Sequence, residues 1–130
     1  MSKVVDLKFY PNFNFMLNGA GGMVDIDMRR RALTVQAAAR RQVGRSTGVL
    51  QKSIHSRRSR DTFGPYWYVG STVSYAYMHH EGTRPHVIMR SGGGKLRFAT
   101  KGGIVFAPMV KHPGTKPNRY LKDSLYLALV

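Results

Sequence analysis

A chain of 130 residues has room for one domain, and its 42% hydrophobic content is enough to furnish a core. Twenty-one Lys and Arg against six Asp and Glu leave a formal charge of +15, and the absence of cysteine excludes disulfides and thiolate metal sites. No apolar run suits a signal peptide or a membrane span, so the composition reads as a soluble protein of a reducing compartment.

So cationic a chain repels itself and is tolerated where something negative lies nearby: nucleic acid, anionic lipid or an acidic protein surface. Residues 1–20, opening MSKVVDLKFYPNFNF, are expected to form a flexible N-terminal arm, and residues 22–130 an α+β core. On the arm, Phe9, Tyr10, Phe13 and Phe15 either fill a partner's groove or pack on their own domain. Gly19, Gly21 and Gly22 lead into a long helix. There Val24, Met28, Ala32, Val35, Ala39 and Val43 recur at spacings of three and four and draw one apolar stripe. Asp25 and Asp27 favour the amino end of this helix dipole, the alanines of VQAAARRQ favour helix, and Gly44 is its expected stop.

Between Met28 and Arg60 there are ten basic residues and no acidic one. Arg29, Arg30, Arg31, Arg40, Arg41, Arg45, Arg57, Arg58 and Arg60 form the candidate basic face for a partner or a polyanion, directed away from the core. STGVLQKSI reads as a short helix capped by Ser46 or Thr47 and anchored by Val49, Leu50 and Ile54. HSRRSRDTF is either a basic strand or a loop.

From Phe63 the pattern changes to aromatic and β-branched residues. Tyr66 to Val69 read as a strand ended by Gly70, and TVSYAYMHHEG opens either a strand or a helical turn. HVIMR, LRFAT and GIVFAPMV are further strands. The glycines at Ser91–Gly94 and at Lys101–Gly103 read as hairpin loops between them. NRYLKDSLYLALV reads as a C-terminal helix with Pro117 just before it, Asn118 as its cap and Tyr120, Leu121, Ser124, Leu125 and Leu129 facing the sheet. The whole is α+β: a long N-terminal helix and a C-terminal helix packed on a mainly antiparallel sheet of short strands.

Catalytic and metal signatures are weak. His79 and His80 are adjacent and point apart on either a helix or a strand, and no HExxH or GxSxG spacing occurs. SGGGK lacks the spacing of a phosphate loop. No catalytic residue, metal or cofactor is expected. Two segments do stand out, Tyr75 to Thr83 and Val110 to Pro117, each ending in a Gly-Thr turn. Glu81 in the first is expected to pair with Arg84 or Lys111.

Taken in order, these residues resemble the tail-completion or head-to-tail joining (neck) proteins of long-tailed bacteriophages. The resemblance runs through Thr47, Gly48, Leu50 and Ser53, then Tyr75, Ala76, Glu81, Gly82 and Thr83. It continues through Leu96-Arg97-Phe98 and a Gly-Gly-x-Val-Phe strand to His112, Pro113 and Gly114, and closes at Leu121 in the terminal helix. It implies a non-enzymatic virion component at the neck, assembled with copies of itself as a hexameric ring after synthesis in the host cytoplasm. Its implied neighbours are the connector or head-completion protein on one side and a tail terminator or tail-tube protein on the other. DNA is a further candidate contact, and no membrane is involved. The arginine-rich first helix matches no motif of that family. Read alone, it supports an alternative, a basic nucleic-acid-binding module.

Overall fold

The computed structural model describes residues 11–44 and 46–130. In chain order the elements are α1 (Pro11–Asn18), α2 (Met23–Gln42), α3 (Val49–Ser53), β1 (Ile54–Asp61), β2 (Gly64–Ser71) and α4 (Ala76–Glu81). They continue with β3 (His86–Met89), β4 (Leu96–Thr100), β5 (Gly103–Ala107), β6 (Met109–His112), α5 (Tyr120–Ser124) and a closing 3-10 turn (Leu125–Leu129). The class is α+β. Its strands lie in three two-stranded antiparallel ribbons, β1–β2, β3–β6 and β4–β5.

The described residues form two compact units: those up to Val73 together with Tyr120–Val130, and Ser74–Arg119. The first unit is organised by α2. Asp25, in the first turn, reaches back and accepts a hydrogen bond from the Gly21 N–H at 2.8 Å, so a carboxylate satisfies an orphan donor at the helix start. Gly44, at φ 81°, ends the helix in the left-handed conformation. Within the expected arm, Pro11–Asn18 form the helix α1. Phe9 and Tyr10 lie outside the described residues, and so does the Phe13 side chain.

Of the expected apolar stripe, Ala32, Val35, Ala39 and Val43 are buried, while Val24 and Met28 remain partly exposed. Ala39, Val43, Ile54 and Tyr120 form the centre of the core, with Leu50, Val69 and Leu121 packed around it. The C-terminal helix therefore packs on α2, and Tyr120 and Ser124 face inward as expected. Leu125 and Leu129 do not: the chain tightens into a 3-10 turn after Ser124, which rotates both out to 61% and 85% exposure.

At the start of α3 Gly48, at φ 78°, occupies the N-cap position, and Thr47, one of the two expected caps, stands one residue earlier, its Oγ1 accepting from the Val49 amide at 3.5 Å. HSRRSRDTF resolves as the strand β1. Its hairpin with β2 turns on Asp61, whose Oδ1 accepts from the Phe63 and Gly64 amides at 2.8 and 3.2 Å.

In the second unit the expected hairpin across Ser91–Gly94 does not form. β3 pairs with β6, and the register joining His86 to His112 carries on to an isolated bridge between Thr83 and Thr115. Pro85 and Pro113 stand opposite each other in that register, and neither has an N–H to donate, so the ladder is interrupted there. Beyond Met89 and Met109 the chain continues into the true hairpin, β4–β5, which turns at Lys101 and Gly102. Residues 90–95 lie on one side of that junction and Pro108 alone on the other. The glycine-rich segment is an excursion on one side of the ribbon.

Candidate partner interface

The arginines of the basic stretch do not form one face. Arg58 lies on β1 directly opposite Trp67 on β2, and both side chains converge on Asp25. The Arg58 Nε donates to Asp25 Oδ1 at 2.7 Å and the Trp67 indole N–H donates to the same oxygen at 2.9 Å. Asp25, only 10% exposed, is thereby held down to about 2 by the Gly21 amide, the Trp67 indole and the Arg58 guanidinium. Arg58 also donates to the Asn18 carbonyl at 3.1 Å, so it ties the hairpin to the α1–α2 corner.

Arg40 is structural as well. Its Nε and Nη2 both donate to the Ile54 carbonyl, at 2.9 and 2.5 Å, and its own carbonyl accepts from Gln51. Arg31 bridges Asp27 at 2.6 Å and the Ala128 carbonyl at 2.6 Å, which fastens the C-terminal segment to α2. Three members of the expected face thus serve the fold. Arg45 lies outside the described residues.

Arg29, Arg30 and Arg41 do point outward from α2. They surround a shallow, open depression floored by Ile26, Leu33, Thr34 and Ala37. Arg30 shares Asp27 with Arg31 at 2.9 Å. Arg29 and Arg41 make no ion pair among the described residues. On β1, Arg57 and Arg60 are exposed, and Arg57 stands opposite Tyr68, whose ring lies 6.4 Å from that of Tyr66.

Motif residues Thr47, Gly48, Leu50, Ser53 and Leu121 belong to the first unit. Leu50 and Leu121 support the core, and the Ser53 hydroxyl donates to the Leu50 carbonyl at 2.7 Å and meets the Ser71 hydroxyl at 2.6 Å. Tyr75, Ala76, Glu81, Gly82, Thr83, His112, Pro113 and Gly114 belong to the second. There the two Gly-Thr turns are brought together. Thr83 and Thr115 exchange both backbone hydrogen bonds at 3.1 Å. Gly82, at φ 74°, passes against the Thr115 carbonyl, and Gly114, at φ 86°, against the Thr83 carbonyl. Glu81 pairs with its neighbour His80 at 2.7 Å instead of Arg84 or Lys111.

The second unit has almost no interior. Among its residues Ala76 alone is buried, while Val87, Ile88, Met89, Ile104, Val105, Phe106 and Met109 are all exposed. Successive residues of a strand point to opposite faces, so Ile104, Val105 and Phe106 put apolar surface on both sides of the β4–β5 ribbon.

No family model, no curated protein and no solved structure matches this chain.

His86 and His112 serve the backbone. The His86 Nδ1–H donates to the Arg84 carbonyl at 2.9 Å, and the His112 Nδ1 accepts from the Gly114 amide at 3.1 Å. Their rings face each other at 5.0 Å, but the neutral His112 must then carry its proton on Nε2, which opposes sharing a cation with His86. Among the described residues no three His, Asp or Glu side chains are grouped as a metal site, and no helix is long and apolar enough to cross a membrane.

Sequence reasoning missed Thr115 as the partner of Thr83, and the Asp25–Arg58–Trp67 cluster. The repeated Gly-Thr was a signal for the first. The second joins residues more than thirty positions apart and left no local trace.

Proposed function

We propose that this chain is a non-catalytic structural subunit that completes its fold by association with copies of itself. More specifically, we propose a head-to-tail joining or tail-completion protein at the neck of a long-tailed bacteriophage. In that setting the subunits form a hexameric ring between the connector or head-completion protein and the tail terminator or tail tube. The observation that carries this reading is the apolar ribbon unit with a single buried residue. A two-stranded hairpin is at best marginal alone in water. Each side chain such as Phe106 or Ile104 contributes roughly 2 kcal/mol when a neighbour covers it. A ring subunit, which meets a different surface on each flank, supplies that cover without self-complementarity.

The order of the quoted motifs adds the phage context, and their packing is compatible with it: the Glu-Gly-Thr and Pro-Gly-Thr segments are two halves of one clamp. Native mass measurement on the purified full chain, and on intact particles, tests the proposal. Sixfold copies are expected. A monomer at high concentration that occurs in no particle overturns it.

One observation favours a second reading, nucleic-acid binding. Arg57 lies exposed opposite Tyr68, on the same face of the hairpin as Tyr66, and arginine with aromatic rings is a surface on which bases stack. Filter binding across a salt series separates the two, because phosphate contacts lose affinity steeply as salt rises. No affinity at low salt removes this reading.

A further inference from the structure

The outward face of α2 combines two properties that rarely serve the same ligand. Ile26, Leu33 and Ala37 form a ridge at helical spacing directly opposite the buried Ala32, Val35 and Ala39. Ile26 is 60% exposed and Leu33 44% exposed, although an amphipathic helix ordinarily keeps this side polar. Arg29, Arg30 and Arg41 flank the ridge. The small side chains of Thr34 and Ala37 leave a shallow notch in it, the shape into which a ridge of another helix fits.

We infer that this face docks an acidic amphipathic helix of another protein, one that presents apolar side chains at i, i+4 and i+7 with Asp or Glu on either side. Charge complementarity selects this occupant. A second copy of the face would set Arg29, Arg30 and Arg41 against their own equivalents on a chain of net charge +15. The nearby Asp27 is already shared by Arg30 and Arg31 at 2.9 and 2.6 Å and cannot relieve the clash. The chain's own residues 1–10 are apolar enough to cover the ridge but carry two lysines against one aspartate, the wrong sign for its rim. A nucleic-acid backbone satisfies the arginines and leaves Ile26 and Leu33 against phosphate, which gains nothing from burying them. A helix with leucines and glutamates satisfies both. The inference does not depend on the ring reading, since it concerns a different surface and a different partner.

Fluorescence anisotropy with the full chain tests it. The probe is a labelled synthetic helical peptide with Leu at i, i+4 and i+7 and Glu at the flanking positions. Three competitors are compared: the same peptide with Ser replacing Leu, the same peptide with Lys replacing Glu, and a DNA duplex. The Leu–Glu peptide is expected to bind, and each replacement to weaken it by about tenfold or more. Leu33→Ser and the pair Arg30→Glu with Arg41→Glu should each cause a comparable loss with helix content unchanged, because all three positions are exposed. The inference is overturned if the Ser peptide or the duplex binds equally well, or if neither variant changes binding. It is also overturned if the chain binds only after residues 1–10 are removed, which makes the arm the occupant. Ring formation by these variants is read separately by mass: an intact ring that no longer binds peptide separates failure of this surface from failure of assembly.

Discussion

Thr83 and Thr115 hold one another as a closed pair: each amide donates to the other's carbonyl at 3.1 Å, and their hydroxyls meet at 3.0 Å. The two residues are 32 positions apart, and the ribbon between them is anchored at this point. Each is preceded by a glycine with positive φ that lies against the opposite segment, so the clamp depends on glycine twice.

Gly82→Ala and Gly114→Ala are therefore expected to open the clamp. A Cβ at either position meets backbone atoms across the pair and adds left-handed strain, for a combined loss of at least about 2 kcal/mol. Gly92→Ala is the control. Its φ of 82° carries the same strain but the added carbon meets nothing, so the loss is about 1 kcal/mol. Hydrogen exchange at the Thr83 and Thr115 amides should accelerate in the first two variants and not in the third.

The Asp25 cluster gives the fold an acid limit. Its carboxyl is held at about 2, below its ordinary 3.8, so the folded state gives up the proton more readily than the unfolded one. The stabilisation is complete above about pH 4 and is lost as the pH falls toward 2. Asp25→Asn should lower stability at neutral pH by about 2 kcal/mol and flatten the pH dependence in that window. Trp67 is the sole tryptophan, so its fluorescence reports the cluster directly during an acid titration.

Neighbouring arginines on α2 should behave differently. Arg40→Ala removes both hydrogen bonds to the Ile54 carbonyl and leaves that acceptor unpartnered by a charged donor, a loss of about 2 kcal/mol. Arg41→Ala, at an exposed position, should stay within about 0.5 kcal/mol of the parent. Parallel urea denaturation curves decide between them.

Phe106→Ser should weaken self-association by roughly tenfold while far-ultraviolet circular dichroism is unchanged, since the side chain is 59% exposed within the chain. Sedimentation across a concentration series measures it. Unaltered association would place the subunit contact elsewhere.

Tyr120→Ala should cost about 4 kcal/mol, because the ring is fully buried at the centre of the core. Leu129→Ala should be nearly silent at 85% exposure. Thermal melts of the two variants show whether the C-terminal segment matters at its beginning or its end.

Local chemistry was legible in the residues. Alanine content and three-four spacing marked α2, Gly44 its stop, and the aromatic run after Phe63 the strand β2. Net charge and the two Gly-Thr segments also stood out in the residue order alone, as did Tyr120 as an inward residue. Only the tertiary structure decided which arginines serve the fold and which remain outside, because Arg40, Arg31 and Arg58 are claimed by Ile54, Ala128 and Asp25, partners distant in the chain. Strand pairing was decided there as well. A glycine-rich loop is compatible with either a hairpin or an excursion, and the choice rests on the long-range ladder that runs from Met89 and Met109 back to Thr83 and Thr115. Periodicity records which way a side chain points along its own element, whereas hydrogen-bond partners are selected by the folded backbone as a whole.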